Sequence, residues 1–429
     1  MKKFLWIILS SFIVAALLLA GLIYYFFGDW LRMMSTLKTP TTPPAMEEPV
    51  SNPPSPSTDD APIPPQDQTG LNLQLPPGFT ISTFANNIGA ARVLIQDPNG
   101  TLIASLTRNG KVVALPDKDQ DGKVDEVITV IENLNNPHGL AFRCNAQPEQ
   151  GPSEICKLYI AETQALHRYD YDPDTLQVSN KTQVVDFPKQ AGRHFTRSLL
   201  SLPEEDRLLI SIGSSCDVCH EQDWRPGKIL SSHFDGADYK EYATGLRNSV
   251  FMKVHPLTGE VWATEMGRDW LGDDIPPDEV NIIREGNHYG WPTCFGKNIH
   301  DTDFDKNTYI RNPCTEPFEQ PSYIDLQAHS APLGLAFFPE SWPEEYRYDL
   351  LVAYHGSWNR SIPTGYKIGR FELNEQGAVQ SEQQDFLTGW IEGSDVTGRP
   401  VDILITNTRE IFLSDDKGGH IFLIKYFEQ

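Results

Sequence analysis

The feature that most constrains the fold of this chain is a unit of roughly 45–60 residues that recurs six times from residue 75 onward. Each unit combines short apolar strands with turns rich in Gly, Pro and Asp, such as D-P-N-G at residues 97–100. A single unit would expose its apolar faces, so the units must pack together in a closed ring. The pattern predicts an all-β fold, a six-bladed β-propeller of four-stranded antiparallel blades. We expect a strand at residues 79–84 to complete the last blade.

Residues 1–34 depart from this pattern. Two lysines precede an uncharged, largely apolar run from residue 4 to residue 27, and about 20 such residues can span a bilayer as a helix. The run ends in aromatic residues of the kind found at membrane interfaces. We expect an uncleaved N-terminal transmembrane helix that anchors the protein, with its body on the periplasmic or extracytoplasmic side. A cleaved signal peptide is the alternative.

Residues 35–73 are rich in Pro, Thr and Ser. A segment with so few large apolar residues cannot bury enough surface to offset the entropy of ordering it. We therefore expect a disordered, Pro-rich linker here, followed by the propeller domain at residues 74–429.

The charge balance excludes one class of partner. The chain has 35 Lys and Arg against 58 Asp and Glu, a formal net charge of −23. Such a surface cannot neutralise the phosphates of a nucleic acid, so we expect no nucleic-acid partner.

The chain contains six cysteines, an even number that suggests disulfides in an exported protein. Connectivity does not follow from sequence alone, and we expect neighbouring cysteines to pair because each pair brackets one loop. The C-x-x-C spacing at residues 216–219 would also suit a redox pair or half a zinc site, but a structural role is favoured. The expected pairs are Cys144–Cys156, Cys216–Cys219 and Cys294–Cys314.

The sharpest local motif is an Asp-rich loop at residues 117–125. Alternating carboxylates, a glycine for the tight turn and one backbone carbonyl supply the hard oxygen ligands that calcium prefers. The loop lacks the Glu at the twelfth position of a helix–loop–helix calcium site and resembles the calcium loops of integrin propellers. A simple Asp-rich turn is the alternative. The expected ligands are Asp117, Asp119, Asp121, Asp125 and the carbonyl of Lys123.

Basic residues begin the second strand of five of the six repeats, where they would line the central funnel of a propeller. An imidazole there can act as a general base near neutral pH, and an arginine can bind a carboxylate or a developing oxyanion. The chain has no nucleophile elbow, P-loop or dinucleotide fingerprint. The class of chemistry that remains for these residues is acid–base or redox catalysis with a bound cofactor. The funnel residues are His138, His194, Arg247 with Asn248, His329 and Arg399.

From residue 75 onward the chain resembles the quinoprotein glucose/sorbosone dehydrogenases, in particular the sorbosone dehydrogenase branch. The motifs that carry the resemblance are LPPGF, DKDQDGKVDE, NNPHGLAF, GLRNSV, EMGRDWLGDDIPPDEVN, NHYGWP, HGSWNRS and GRPVDI. The resemblance implies a six-bladed propeller that binds pyrroloquinoline quinone (PQQ) and Ca²⁺. It also implies oxidation of a sugar hydroxyl or hydrated aldehyde, with electrons passing to an unidentified acceptor.

Matched position by position, the motifs imply a role for each candidate residue. His194 would be the catalytic base, with Asp217 as the candidate that orients it, and Arg247 would stabilise the negative charge that develops beside the reactive quinone carbonyl. The implied cofactor contacts are Asn248 and Arg399, with Arg360 or Lys367 as a second clamp for a cofactor carboxylate. The implied substrate contacts are His138 and His329. The carbonyls of Gly267 and Arg268 would bind the catalytic calcium, and Asp278, Glu279 and Tyr289 would form a further calcium site.

Two other functions remain open at this point. A calcium-dependent propeller hydrolase of the lactonase type would need a cluster of carboxylate and Asn side chains around a central metal. A non-catalytic binding propeller tethered to the membrane would need only the anchor and a stabilising calcium loop.

Overall fold

The computed structural model describes residues 65–144, 156–189, 192–315 and 319–428. These residues form strands, turns and two short 3₁₀ helices, Thr107–Asn109 and Pro203–Glu205, and none of them lies in an α-helix. No helix in these ranges is both long and apolar enough to cross a membrane. The expected anchor at residues 1–34 and most of the expected linker lie outside the described residues.

Twenty-eight strands are present in the described part of the chain. In chain order they are β1 (Phe79–Ala85), β2 (Ala91–Gln96), β3 (Leu102–Leu106), β4 (Lys111–Leu115), β5 (Ile128–Ile131), β6 (Leu140–Arg143), β7 (Cys156–Ala161), β8 (Ala165–Asp172), β9 (Gln177–Asp186), β10 (Arg197–Leu202), β11 (Arg207–Ile212), β12 (Lys228–His233), β13 (Lys240–Thr244), β14 (Met252–Val254), β15 (Val261–Glu265), β16 (Asp278–Ile283), β17 (Cys294–Phe295), β18 (Ile299–His300), β19 (Ile324–Leu326), β20 (Pro332–Phe337), β21 (Leu350–Tyr354), β22 (Lys367–Phe371), β23 (Gln384–Leu387), β24 (Ile391–Glu392), β25 (Asp395–Val396), β26 (Pro400–Ile405), β27 (Glu410–Asp415) and β28 (His420–Tyr426).

Twenty-four of these strands form six antiparallel four-stranded sheets, which confirms the six-bladed propeller. From the inside outward the blades are β2–β5, β6–β9, β10–β13, β14–β16 with β19, β20–β23, and β26–β28 with β1. The innermost strand of each blade contacts the innermost strands of both neighbouring blades, so the ring is closed. The remaining strands form two small hairpins, β17–β18 and β24–β25.

Strand β1 closes the ring, as the sequence predicted. It pairs antiparallel with β28, so that Ile81 faces Ile424. Its first residue, Phe79, packs against Phe386 and Tyr346 of the neighbouring blade, with ring centroids 4.9 and 5.2 Å apart. Sheet hydrogen bonds and aromatic packing together fix the first strand of the domain to its last blade.

The last residues of the expected linker are ordered. The amide of Gln68 donates to the carbonyl of Ile81, the amide of Ile81 donates to that of Gln66, and Leu73 is buried. The average composition of residues 35–73 concealed the short apolar alternation that Leu71 and Leu73 make at its end. The prediction of disorder therefore does not extend to residues 65–73.

The blade interiors explain the repeated apolar pattern. Strands β3 and β4 are apolar along most of their length because each blade packs against a neighbour on both faces. The turn before β3 is held by Asp97, whose Oδ1 accepts hydrogen bonds from the amides of Asn99 (2.9 Å) and Thr101 (2.8 Å).

All three expected disulfides are present: Cys144–Cys156, Cys216–Cys219 and Cys294–Cys314. No free cysteine occurs in the described ranges. The second pair lies on the loop that follows β11, where it borders the central cavity.

Candidate active site

A cavity of about 660 Å³ occupies one end of the central channel. Two sets of residues converge there because of the strand directions. The strand counted second in each sequence repeat is the innermost strand of its blade, and its first residues lie at one end of the channel. In each blade the second strand, counted from the inside outward, runs antiparallel to it, so its last residues lie at the same end. From the starts of the innermost strands come Arg92, His194, Arg247, Asn248, His329 and Arg399. From the ends of the second strands come Arg108, Cys216, Asp217, Met266, Gly267, Asp269, Trp270, His355 and Trp358.

His194 has the features of a neutral base. Its Nδ1 lies 2.8 Å from the carbonyl oxygen of Ser214. A carbonyl can only accept, so Nδ1 carries the hydrogen and Nε2 keeps its lone pair. Burial, and then the charge of Arg247, lower the pKa of His194 to about 3. The imidazole is therefore uncharged at neutral pH and can accept a proton at Nε2.

Arg247 is fixed beside this base by two carboxylates. Its Nη2 lies 2.8 Å from Asp217 Oδ1 and 3.2 Å from Asp269 Oδ2, and its Nε donates to the backbone carbonyl of Asp217. Asp217 was the candidate for orienting His194, but Ser214 does this instead. Asp217 orients the arginine.

Asn248 and His194 approach each other around a glycine. A Cβ atom on Gly213 would lie 2.7 Å from His194 Cβ and closer still to Asn248 Oδ1. The amide nitrogen of Asn248 donates to Glu265 Oε1 at 2.7 Å. Burial raises the pKa of Glu265 to about 8. Gly213 leaves room for His194 and Asn248, and Glu265 holds the backbone of Asn248. Neither residue was predicted from the sequence.

Gly267 lines the cavity, while the carbonyls of Gly267 and Arg268 accept no hydrogen bond from the described residues. The loop is held by Asp278, which accepts hydrogen bonds from the amides of Gly267 (3.0 Å) and Ala331 (2.9 Å). Burial raises the pKa of Asp278 to about 7. The carbonyl of Gly267 is therefore available at the cavity and that of Arg268 beside it, and Asp278 holds their loop in place.

Glu279 and Tyr289 lie beside the main cavity. With Gly267 and Arg268 they border a separate space of about 20 Å³, which is large enough for one water or ion. Glu279 Oε1 accepts from the amide of Gly296 at 2.7 Å, and burial raises its pKa to about 7. The hydroxyl of Tyr289 donates to the carbonyl of Ile282. The structure brings Glu279 and Tyr289 together, while Asp278 lines the main cavity.

The Asp-rich loop lies between β4 and β5, away from the cavity lining. Carboxylate oxygens of Asp117, Asp119 and Asp125 lie within 4.8 Å of one another. Asp121 points elsewhere in the loop, where its Oδ1 accepts the amide of Lys123 at 2.8 Å. The structure therefore brings together three of the four expected carboxylates.

Three expected ligand contacts lie away from the cavity surface. His138 is fully buried beneath it, where its Nδ1 lies 3.3 Å from Ser198 Oγ. Lys367 on β22 pairs with Asp385. Arg360 donates to the carbonyls of Asp273 and Ala328. These three side chains support neighbouring loops and strands.

His329 lines the cavity but uses both ring nitrogens within the protein. Its Nε2 lies 2.9 Å from the carbonyl of Gly272 and 3.1 Å from that of Ile275, and its Nδ1 lies 3.4 Å from Asn359 Nδ2. This ring therefore anchors the loop that carries Trp270.

Sequence reasoning missed a third histidine at the cavity. His355 follows β21, and its Nε2 lies 2.8 Å from Asp416 Oδ1. Arg92 binds the other oxygen of Asp416 at 2.6 Å. Burial alone would raise the pKa of Asp416, but the hydrogen bond from His355 and the charge of Arg92 hold it well below its usual value. The signal that could have located His355 is its place at the end of a second strand.

Two tryptophans stand exposed at the rim of the cavity. The side chains of Trp270 and Trp358 are 68% and 57% exposed, and their ring centroids lie 5.2 Å apart at 82°. Exposed indoles beside a polar cavity suit the apolar face of a ligand. Asn359, next to Trp358, donates to Asp269 Oδ1 at 3.1 Å, which links the rim to the arginine site.

Comparison with known proteins identifies a family and several relatives of this chain. Residues 73–427 match the model of the TrAA12-like family. An uncharacterised protein of Borreliella burgdorferi is 31% identical over 372 residues, which cover 82% of this chain and 91% of that protein. A pyrroloquinoline quinone-dependent sugar dehydrogenase of Hypocrea jecorina is 22% identical, with 79% of this chain and 81% of that protein covered.

Among solved structures, the holo form of the PQQ domain of the Coprinopsis cinerea pyranose dehydrogenase superposes with a TM-score of 0.67. It is 20% identical, and the match covers 84% of this chain and 99% of that domain. The sequence-based assignment to the quinoprotein sugar dehydrogenase propellers is confirmed, while its placement in the sorbosone branch stays a prediction. This chain belongs to the TrAA12-like family.

Proposed function

We propose that this protein is a PQQ- and Ca²⁺-dependent oxidoreductase that oxidises a sugar or a related hydroxy or hydrated-aldehyde compound. The observation that carries the proposal is His194, a neutral imidazole with a free Nε2, beside Arg247 in a cavity of about 660 Å³. A base and a fixed cation in one cavity suit removal of a hydroxyl proton during oxidation of a carbinol.

The cavity fits a planar quinone carrying several carboxylates. Its volume lies within the usual range for small-molecule sites, roughly 300–1,000 Å³. Five arginines line it, in a chain of net charge −23. Arg399 donates to the carbonyls of His355 and Gly356 rather than to a carboxylate, and Arg108 and Arg193 make no ion pair with the described residues. Three cationic side chains thus remain to bind an anionic cofactor.

Candidate calcium ligands occur at two places in the domain. The unbonded carbonyls of Gly267 and Arg268 are hard oxygen donors beside the cavity. Bound there, calcium would act as a Lewis acid toward the quinone. The clustered carboxylates of Asp117, Asp119 and Asp125 suit a second, structural ion on the loop between β4 and β5.

In the reaction, the residues of the chain would bind and deprotonate the substrate. His194 Nε2 would accept the hydroxyl proton, and the hydrogen bond from Nδ1 to Ser214 would hold the ring in the required tautomer. Arg247, held by Asp217 and Asp269, would stabilise the negative charge that develops on oxygen. When bound, PQQ would accept the hydride from the substrate carbon.

The rim favours a carbohydrate or similar ligand. A sugar ring presents C–H groups on one face and hydroxyls at its edge, so Trp270 and Trp358 can pack against the former. Support also comes from the relatives that are named sugar and pyranose dehydrogenases. The electron acceptor and a membrane anchor at residues 1–34 belong to the same proposal and rest on the sequence alone.

A hydrolase of the lactonase type has less support. Groups of three or more His, Cys, Asp or Glu ligands that could hold a metal occur at two places in the described ranges. One includes both cysteines of a disulfide, and the other lies on the loop between β4 and β5. The carboxylates Asp217 and Asp269 in the cavity bind Arg247.

The test is reconstitution of the purified protein with PQQ and Ca²⁺. We expect a bound-quinone absorption spectrum and dye reduction with aldoses, sorbosone or other aldehydes. Quinone affinity should fall on Arg399→Gln and remain unchanged on Lys367→Gln, because Arg399 lines the cavity and Lys367 does not. Absence of bound quinone in the wild-type spectrum would refute the proposal, and a binding propeller would then be the better description.

A further inference from the structure

The loop closed by Cys216 and Cys219 lies between two spaces. Cys216 lines the central cavity, and Cys219 lines an open groove on the other side. Both cysteines are only partly buried. The disulfide therefore forms part of the wall between the candidate active site and solvent.

On one side, this loop holds the candidate base. The hydroxyl of Ser214 donates to the carbonyl of Cys216 at 2.6 Å, and the carbonyl of Ser214 accepts from His194 Nδ1. Glu221 fixes the next residue, since its two oxygens accept the amide and the hydroxyl of Ser215 at 2.6 Å each. The orientation of His194 therefore depends on the backbone between Ser214 and Cys216.

On the other side, the same loop holds the arginine. Asp217 lies inside the disulfide-closed segment and binds Arg247 through both its side chain and its carbonyl. Its Oδ1 also accepts the amide of Asp269 at 2.8 Å, and its carbonyl accepts the indole N–H of Trp291 at 3.2 Å. One segment thus carries the supports of both the base and the cation.

We infer that the Cys216–Cys219 disulfide is a positioning element for His194 and Arg247, and that a dithiol can open it from the outer groove. This inference rests on the function proposed above. A thiolate entering the groove would attack the sulfur of Cys219 and release Cys216 as a thiolate. The second thiol of the reagent would then displace Cys219, so that the reagent is oxidised and the protein pair reduced by two electrons. The segment would lose its covalent closure, and both supports would loosen.

The other two disulfides supply a contrast. Cys314 is fully buried and Cys294 nearly so. Cys156 is buried on β7, which contributes no residue to the cavity lining, while its partner Cys144 is exposed. A Cys144→Ser/Cys156→Ser double variant therefore makes the same chemical change away from the site.

The experiment uses the purified full chain with ¹⁵N-labelled histidine and no added quinone. The His194 signal is assigned with His194→Gln. In wild type we expect one tautomer, with Nδ1 protonated, and a titration midpoint near 3, since burial and the charges of Arg247, Arg197 and Arg193 oppose protonation. In Cys216→Ser/Cys219→Ser we expect both tautomers, a midpoint shifted toward the usual 6.5, and at least a 10-fold lower kcat/KM after reconstitution.

The Cys144→Ser/Cys156→Ser variant should keep the wild-type His194 signal. If Cys216→Ser/Cys219→Ser fails to fold, dithiothreitol is added to the native wild-type protein instead. It must then produce the change in the His194 signal expected of that variant, both in wild type and in Cys144→Ser/Cys156→Ser. An unchanged His194 signal after loss of the Cys216–Cys219 bond overturns the inference. Because this readout needs no quinone, it stands apart from any failure of the proposed oxidoreductase activity.

Discussion

Gly213 offers a sharp test of how closely the site is packed. It directly follows β11, and the structure gives it no left-handed φ, so Gly213→Ala introduces no backbone strain. The new methyl group would lie 2.7 Å from His194 Cβ, well inside ordinary contact distance. It would also press on Asn248 Oδ1, and Asn248 is buried and tied to Glu265 through its backbone. Either the base or the amide must move.

Overpacking of this kind typically costs about 1–3 kcal/mol. Displacement of a base by about 1 Å can lower a rate on the order of 100-fold. We expect Gly213→Ala to lower the thermal midpoint by a few degrees and kcat/KM by 10-fold or more. Differential scanning calorimetry and steady-state dye reduction measure the two effects.

Gly369→Ala is the matched control. It lies on β22, where a Cβ would meet the side-chain amide of Gln383 at 2.8 Å and the ring of Tyr354 at 3.0 Å, both away from the cavity lining. We expect full activity from this variant. Wild-type activity and stability in Gly213→Ala would show that the cavity floor tolerates an extra methyl, and the packing argument would fail.

Four further outcomes follow from the structure. His194→Gln should lower kcat roughly 10²–10⁴-fold with quinone affinity unchanged, and a smaller loss would point to another base. Because the pKa of His194 is lowered to about 3, kcat/KM should not fall with a midpoint near 6.5 as pH drops from 7 to 5. The same residue is protonated near pH 6.5 when unfolded, so its contribution to stability declines as pH falls from about 6.5 toward 3. Asp119→Ala should remove the part of the calcium-dependent rise in the thermal midpoint that comes from the Asp-rich loop, and an unchanged calcium titration would end the proposal for that loop.

The fold could be predicted because every blade repeats the same physical requirement. Apolar strands that leave both faces uncovered must stack, and the recurring turns set the number of strands. The closing strand could be identified because Phe79 begins an apolar segment that precedes the first complete unit.

Only one of the two sets of residues that form the site could be predicted from the sequence. Funnel residues were sought at the starts of innermost strands, which located His194, Arg247 and Arg399. The ends of the second strands reach the same cavity, and they contribute His355 and Trp270. Antiparallel pairing makes this second set a general expectation for a propeller, and no composition signal marks it.

Side-chain pairing could not be foreseen from the motifs. Asp217 and Ser214 lie three residues apart, and either could have oriented His194. Which one does so depends on the path of the closed loop around Cys216, a tertiary feature. His138 occupies the expected strand position yet is fully buried beside Arg197 and Phe251, and it does not line the cavity.

The pairing of β1 with β28 also determines when the domain can form during synthesis. Ser82 and Leu423, which face each other in this sheet, are 341 positions apart. At typical translation rates of about 5–20 residues per second, β1 would wait roughly 17–70 seconds for its partner. Throughout that time the apolar side chains of β1 would be exposed beside an incomplete ring of blades. Chaperones would therefore encounter an open, incomplete propeller. A circular permutant that joins β28 directly to β1 and opens between two other blades would shorten that wait.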